Sequence, residues 1–143
     1  MVRLLPLLFA AALLGAPPSR SRAPEAVVQR QLEAYNAHDA EAFAATYAED
    51  AELFDFPATP MPEKGRAALK AGYAKLFQAN PDLRAKVKEQ LVAGDHVIHL
   101  ERVTGLAGRK EPLEALVIYR VRNGLIEKVW FLPPEAPKAA SGH

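Results

Sequence analysis

The chain of 143 residues contains no cysteine. That excludes a disulfide scaffold, a zinc–thiolate centre, a redox pair, a cysteine nucleophile and a lipoprotein anchor. Serine is almost as scarce. Ser19, Ser21 and Ser141 all lie in the terminal segments, so the body of the chain holds no serine nucleophile. No apolar run reaches the roughly 20 residues of a membrane-crossing helix. His96 and His99 are spaced three apart on an expected strand, where they point to opposite faces and cannot share an ion, so no metal site is expected. Gly105-x-x-Gly108-Arg109-Lys110 is too short for a phosphate loop and lacks the following Ser or Thr, so it reads as a hairpin turn. Internal repeats are absent as well.

What is present begins with a leader. Met1-Val2-Arg3 is a basic start, Leu4 to Ala16 is a short apolar run broken by Pro6 and Gly15, and Pro17 to Ala23 is a small-residue exit. This is the order of a secretory signal peptide, so residues 1–23 are expected to be removed and the protein to be secreted or periplasmic. Cleavage is expected ahead of Glu25. Ser21-x-Ala23 and Ala16 are competing exits. Loss of Arg3, Arg20 and Arg22 leaves 15 of the 18 basic residues against 17 acidic ones, a net charge of −2. No basic excess then remains to neutralise phosphates, and nucleic acid is not an expected partner.

The remaining 24–132 is the length of one domain, followed by a proline-bearing tail at 133–143 that is expected to be disordered. Val28, Leu32 and Tyr35 have the spacing of one helix face. Asp39 is placed to cap a second helix carrying Ala40, Phe43, Ala44 and Tyr47. Ala51 to Phe56 reads as a short strand, and the three prolines of Pro57 to Pro62 argue against regular structure there. Gly65 opens a third helix with Leu69, Tyr73, Leu76 and Phe77, stopped by Asn80-Pro81. Strands follow: Leu83 to Leu91, His96 to Thr104, Leu113 to Val121 and Leu125 to Leu132, with Asn123-Gly124 a strong hairpin signal. Helices first and antiparallel strands second make an α+β layout.

Three of these stretches carry a resemblance. Tyr35-Asn36-Ala37-His38-Asp39, then Tyr47-Ala48-Glu49-Asp50-Ala51-Glu52-Leu53-Phe54-Asp55, then Gly65-Arg66 resemble the nuclear transport factor 2-like superfamily. The SnoaL-like and steroid Δ-isomerase-like branches are the nearest, and Val121-Arg122-Asn123-Gly124-Leu125-Ile126 fits too. The resemblance covers about residues 26 to 132. It implies a cone-shaped α+β barrel, three N-terminal helices packed on a curved antiparallel sheet. It also implies an apolar cavity for a small hydrophobic molecule, with cofactor-free acid–base chemistry of the isomerase, cyclase or lyase kind. The superfamily includes pure binding modules, so a non-catalytic ligand-binding or interaction module stands beside the enzyme reading.

Ketosteroid isomerases end their first short strand on a general-base aspartate, and the resemblance puts Asp55 there. Their oxyanion hole pairs a helix-1 tyrosine with a protonated strand aspartate. Gln31 and Val117 occupy those two places, so both donors are missing as types, and Asp55 lacks an acid partner. Asp55 sits between Phe54 and Phe56, where burial would make it a base; the alternative is a cap for the following loop. Tyr35 lies one helical turn past Gln31 and is expected, with Tyr73, to face the same cavity. An open cavity with Asp55 at its floor would favour chemistry, and one filled by Tyr35, Tyr73 and Trp130 would favour a module. His99 and Glu101 share a strand face and could form an acid–base pair, but Ile98 and Leu100 compete for the inside, so the pair is expected on the outer or dimer side. Glu114 is expected to face away from the cavity. Leu116 and Ile118 on the outer face of the central strand point to a homodimer.

Overall fold

The computed structural model describes residues 20–132. Most of the expected leader, and the whole of the expected tail, lie outside the described residues. Three helices come first. α1 (Pro24–Asn36) opens on a proline, which needs no N–H partner there, and buries Val27, Val28, Gln31 and Ala34. α2 (Ala40–Ala44) is capped by Asp39, whose Oδ1 accepts from the Ala42 N–H at 2.9 Å. α3 (Arg66–Ala79) stops at Asn80, whose Nδ2 donates back to the Leu76 carbonyl at 2.8 Å.

Six strands form one open sheet: β1 (Tyr47–Asp55), β2 (Thr59–Pro60), β3 (Arg84–Ala93), β4 (His96–Thr104), β5 (Leu113–Arg122) and β6 (Leu125–Leu132), in the order β2-β1-β6-β5-β4-β3. β3 to β6 are an antiparallel meander, closed by Asn123 and Gly124 at φ of 54° and 75°. Both angles are positive, as the tight hairpin turn that suits strand twist requires.

The sheet departs from the expected wholly antiparallel one in being mixed. β1 lies parallel to β6, which it reaches from the far end of the chain, after which a crossover through α3 leads into the meander. Two local expectations also change. Tyr47 opens β1 instead of closing the second helix, because the sheet claims this segment: the Ile126 N–H donates to the Thr46 carbonyl at 2.9 Å, and Tyr47 pairs with Ile126. The proline-rich stretch contains a two-residue strand, tolerated because β2 is an edge.

The Asn36-Ala37-His38-Asp39 turn fastens the helices to the sheet. The Asn36 side-chain amide donates to the Ala85 carbonyl at 2.9 Å and accepts from the Ala85 N–H at 2.8 Å, as a neighbouring strand would. His38 bonds the Leu83 carbonyl at 2.8 Å through Nε2 while its ring stacks on Phe77 at 5.0 Å. Asn36 and His38 thus satisfy backbone groups that would otherwise lie buried and unpaired. The core fills the space between: Val27, Val28, Phe43, Tyr47, Leu69, Val97, Val117 and Val129 are all essentially inaccessible.

Gly65 holds the entry to α3 at φ 86° and ψ 160°, a region only glycine occupies comfortably, and a Cβ there would meet the Glu49 carbonyl oxygen at 2.8 Å. Gly94, at φ 60°, has nothing within 4 Å of the same point. Gly65→Ala is therefore expected to cost about 1–3 kcal/mol, and more than Gly94→Ala, in parallel urea melts. Equal costs would contradict this account of the α3 junction.

Candidate functional site

The inner face of the sheet and the undersides of α1 and α3 enclose a cavity of about 200 Å³. Gln31 and Tyr35 reach it from α1, Tyr73 from α3, and Val117 from β5. These four expected ligand-facing residues therefore do share one space. The cavity is smaller than most small-molecule pockets, which run from about 300 Å³ upward. Val103, Leu113, Ala115 and Phe131 give it apolar walls. A larger groove of about 630 Å³ runs outside α1, past Arg30, Glu33 and Asp39, but its apolar walls are mainly alanine and no aromatic anchors it.

Asp55 is not at the floor of the cavity. It has the inward parity of Ala51 and Leu53, and its register partner is the wall residue Phe131, but it ends β1 and is exposed. Phe56 beside it is 53% exposed, so the expected burial between two phenylalanines is not realised. No hydrogen bond to its carboxylate is present among the described residues, so it does not cap the loop either. Trp130, expected as possible filling, lies on the opposite face of the sheet, its ring 6.0 Å from Phe54. Tyr35 and Tyr73 line the cavity without filling it.

The carboxylate that does reach the cavity is Glu101. The pair His99–Glu101 was expected outside; the structure places it inside. β4 alternates without interruption, with Val97, His99 and Glu101 buried and Ile98 and Leu100 half-buried on the outer face. The pair tolerates burial because both imidazole nitrogens and one carboxylate oxygen have partners. Tyr119 Oη donates to Glu101 Oε1 at 2.8 Å, His99 Nδ1 lies 3.2 Å from the same oxygen, and His99 Nε2 lies 2.8 Å from Gln90 Oε1. His96, three residues earlier, pairs with Asp95 outside the cavity, so the two histidines do face opposite ways. Glu114 also lies outside, where Lys88 Nζ is 2.8 Å from its carboxylate and holds its pKa below the usual carboxylate range.

Electrostatics follow the same geometry. Burial pushes the Tyr35 hydroxyl up to about 12, and the Glu101 charge adds to the shift. Burial likewise raises Tyr47, Tyr73 and Tyr119, again with a contribution from Glu101. The carboxylate is thus felt by all four tyrosines of the chain. Gln31, which stands where the resemblance implied a tyrosine, donates one of its two amide N–H groups to Tyr47 Oη at 3.1 Å. Its carbonyl oxygen remains an acceptor. The chemistry within reach of a ligand is therefore hydrogen bonding to Glu101, to two tyrosine hydroxyls and to one amide oxygen, between apolar walls.

The architecture, helices on an open curved sheet around a cavity, is that of the nuclear transport factor 2-like folds. Residues 28–129 match the SnoaL-like domain, and the chain belongs to that family. Among curated proteins none matches it. A cystatin-fold protein of uncharacterised function from Novosphingobium aromaticivorans superposes with a TM-score of 0.70 at 22% identity, covering 77% of this chain and 97% of that one. A protein of Kribbella flavida provisionally assigned as a ketosteroid isomerase gives 0.68 at 25% identity, covering 85% of each chain. A provisionally assigned SnoaL-like polyketide cyclase from Jannaschia sp. CCS1 gives 0.66 at 16% identity, covering 84% of this chain and 91% of that one.

The four tyrosines supply a test of the site. Each has a folded-state pKa above the ordinary value of 10.0, so above that pH the unfolded chain loses tyrosine protons first. The unfolded state then binds fewer protons than the native one, and stability falls with rising pH. Their contribution is complete below pH 10; the Tyr35 share is expected to be lost between about 10 and 12, and the loss from Tyr47, Tyr73 and Tyr119 to continue at higher pH. Ultraviolet titration is expected to show no native tyrosinate before unfolding begins. A tyrosine ionising near 10 in the folded protein would contradict the burial described.

Proposed function

We propose that this SnoaL-like protein is exported and binds a small, mostly apolar molecule in the cavity between α1, α3 and the sheet. The observation that carries the reading is the meeting of Gln31, Tyr35, Tyr73 and Val117 in one apolar-walled space. At interior packing density that space suits a ligand on the order of ten non-hydrogen atoms. Family membership supports a small-molecule role, whether binding alone or isomerase and cyclase chemistry. Export is supported by the basic start, the short apolar run and the small-residue exit. Among the described residues no helix is long and apolar enough to cross a membrane. The contacts of residues 20–23 favour the upstream exit after Ala16: the Ala23 carbonyl accepts from the Ala26 N–H at 3.0 Å, and Arg22 donates to the Asn123 carbonyl at 2.6 Å.

The same reading includes a homodimer through the outer face of the sheet. Leu91, Ile98, Ile118, Trp130 and Phe54 are successive register partners across five strands, and Leu100, Leu116 and Leu132 form a second row beside them. Leu91 is 61% exposed, and the others are only half-covered in one chain. A second copy of this face would remove the two rows from water.

Catalysis through Asp55 is the second reading, favoured by its inward parity beside Phe131. Its exposure and the lack of an acid partner favour binding alone. Asp55→Asn is expected to change stability by no more than about 0.5 kcal/mol, the range of surface substitutions, because no described group depends on the carboxylate. A clear loss in a denaturant melt would make Asp55 a structural cap and end the catalytic reading.

Native mass spectrometry of the protein recovered from its source tests the three proposals together. The expected spectrum is a dimer, each chain lacking the leader, with a small molecule retained. A mature chain beginning at Met1 or Val2 would contradict export, a monomer would contradict the sheet interface, and ligand-free protein would contradict the binding role.

A further inference from the structure

We propose that the cavity selects small amines in their cationic form, the ammonium group against Glu101 and the apolar body against Tyr35, Tyr73 and Phe131. The inference rests on the reading above, that the cavity holds a ligand, and concerns which chemistry it accepts. Among the described residues Glu101 is the only acidic one of the lining, and no lysine, arginine or histidine lines the cavity. Its Oε1 is engaged by Tyr119 and His99. Among the described residues no donor reaches Oε2, which leaves that oxygen for a ligand.

The other polar groups point to the same choice. One of the two Gln31 amide N–H groups is committed to Tyr47, and its carbonyl oxygen is left to accept. The hydroxyls of Tyr35 and Tyr73 have no partner among the described residues and can accept as well as donate. A ligand that brings N–H donors and positive charge would therefore meet three kinds of acceptor. One that brings a carboxylate would meet a like charge in a small apolar space, where ions are costly unless paired. The aromatic rings add to the preference, because a cation is attracted to the face of a ring.

Three probes of nearly equal size and shape separate charge from fit: benzylamine, benzyl alcohol and benzoate. Titrated at neutral pH against the full chain and followed by calorimetry and tyrosine ring resonances, benzylamine is expected to bind at least about ten-fold more tightly than benzyl alcohol. Benzoate is expected to bind more weakly than either, and the shifts should fall on Tyr35 and Tyr73. In Glu101→Gln, which retains an acceptor for Tyr119 and His99, benzyl alcohol should still bind and the preference for benzylamine should vanish. Benzyl alcohol binding as tightly as benzylamine to the wild type would overturn the proposal. A preference that survives in a folded Glu101→Gln variant would overturn it too. If none of the three binds, the cavity-binding reading itself fails. The wild-type comparison stands alone if the variant does not fold.

Discussion

Burying a carboxylate under a roof of helices is the constraint around which this structure is arranged. Glu101 lies on the inner face of β4, and an ion in that position is unfavourable unless donors surround it. Tyr119 on β5 and His99 on β4 itself supply them, and Gln90 on β3 meets the far side of the imidazole. Three adjacent strands are thereby tied by side chains as well as by their ladders. A slip of one residue in β4 would turn His99 and Glu101 out and bring Ile98 and Leu100 in, so the network also fixes register. The same pleat that hides the carboxylate from bulk water puts it in reach of a ligand.

The roof is held at one place with unusual economy of residues. Asn36 pairs with Ala85, His38 with the Leu83 carbonyl, and Asp39 with the start of α2. The first two bonds set the height of α1 above the sheet, and so the depth of the cavity beneath Gln31 and Tyr35. At the other end of α3, Asn80 binds Leu76 and accepts from the Ala107 N–H at 2.7 Å, which ties the helix to the β4–β5 connection. The cavity is therefore bounded by elements whose backbone groups are satisfied through side chains of the neighbouring element.

Much of this was legible in the sequence. β4 and β6 run between the residues their patterns indicate, Asn123-Gly124 makes the turn, Asp39 caps, and Gln31, Tyr35, Tyr73 and Val117 converge. The segment around Tyr47 misled because Phe43 and Tyr47 have helical spacing, while the pairing that draws Tyr47 into a strand comes from β6, far along the chain. The inner place of Glu101 was hidden by Ile98 and Leu100, which make both faces of β4 apolar. A signal existed in the pairing itself. Val117 was assigned to the inside, and His99 is its register partner in the β4–β5 pair, so His99 and Glu101 had to share that face. Reading it required the length of the connection between the strands, which local periodicity does not supply. Asp55 had the parity of a cavity residue, and only the end of β1 left it exposed.

The central claim is that β4 turns His99 and Glu101 inward as a linked pair. Long-range nitrogen–proton correlation of the His99 ring by NMR tests it most directly. The account predicts an imidazole hydrogen-bonded through both ring nitrogens, slow to exchange with solvent and close in space to the Tyr119 ring, which lies 5.5 Å away between centroids. A His99 ring that exchanges freely with water and shows no contact to Tyr119 would contradict it.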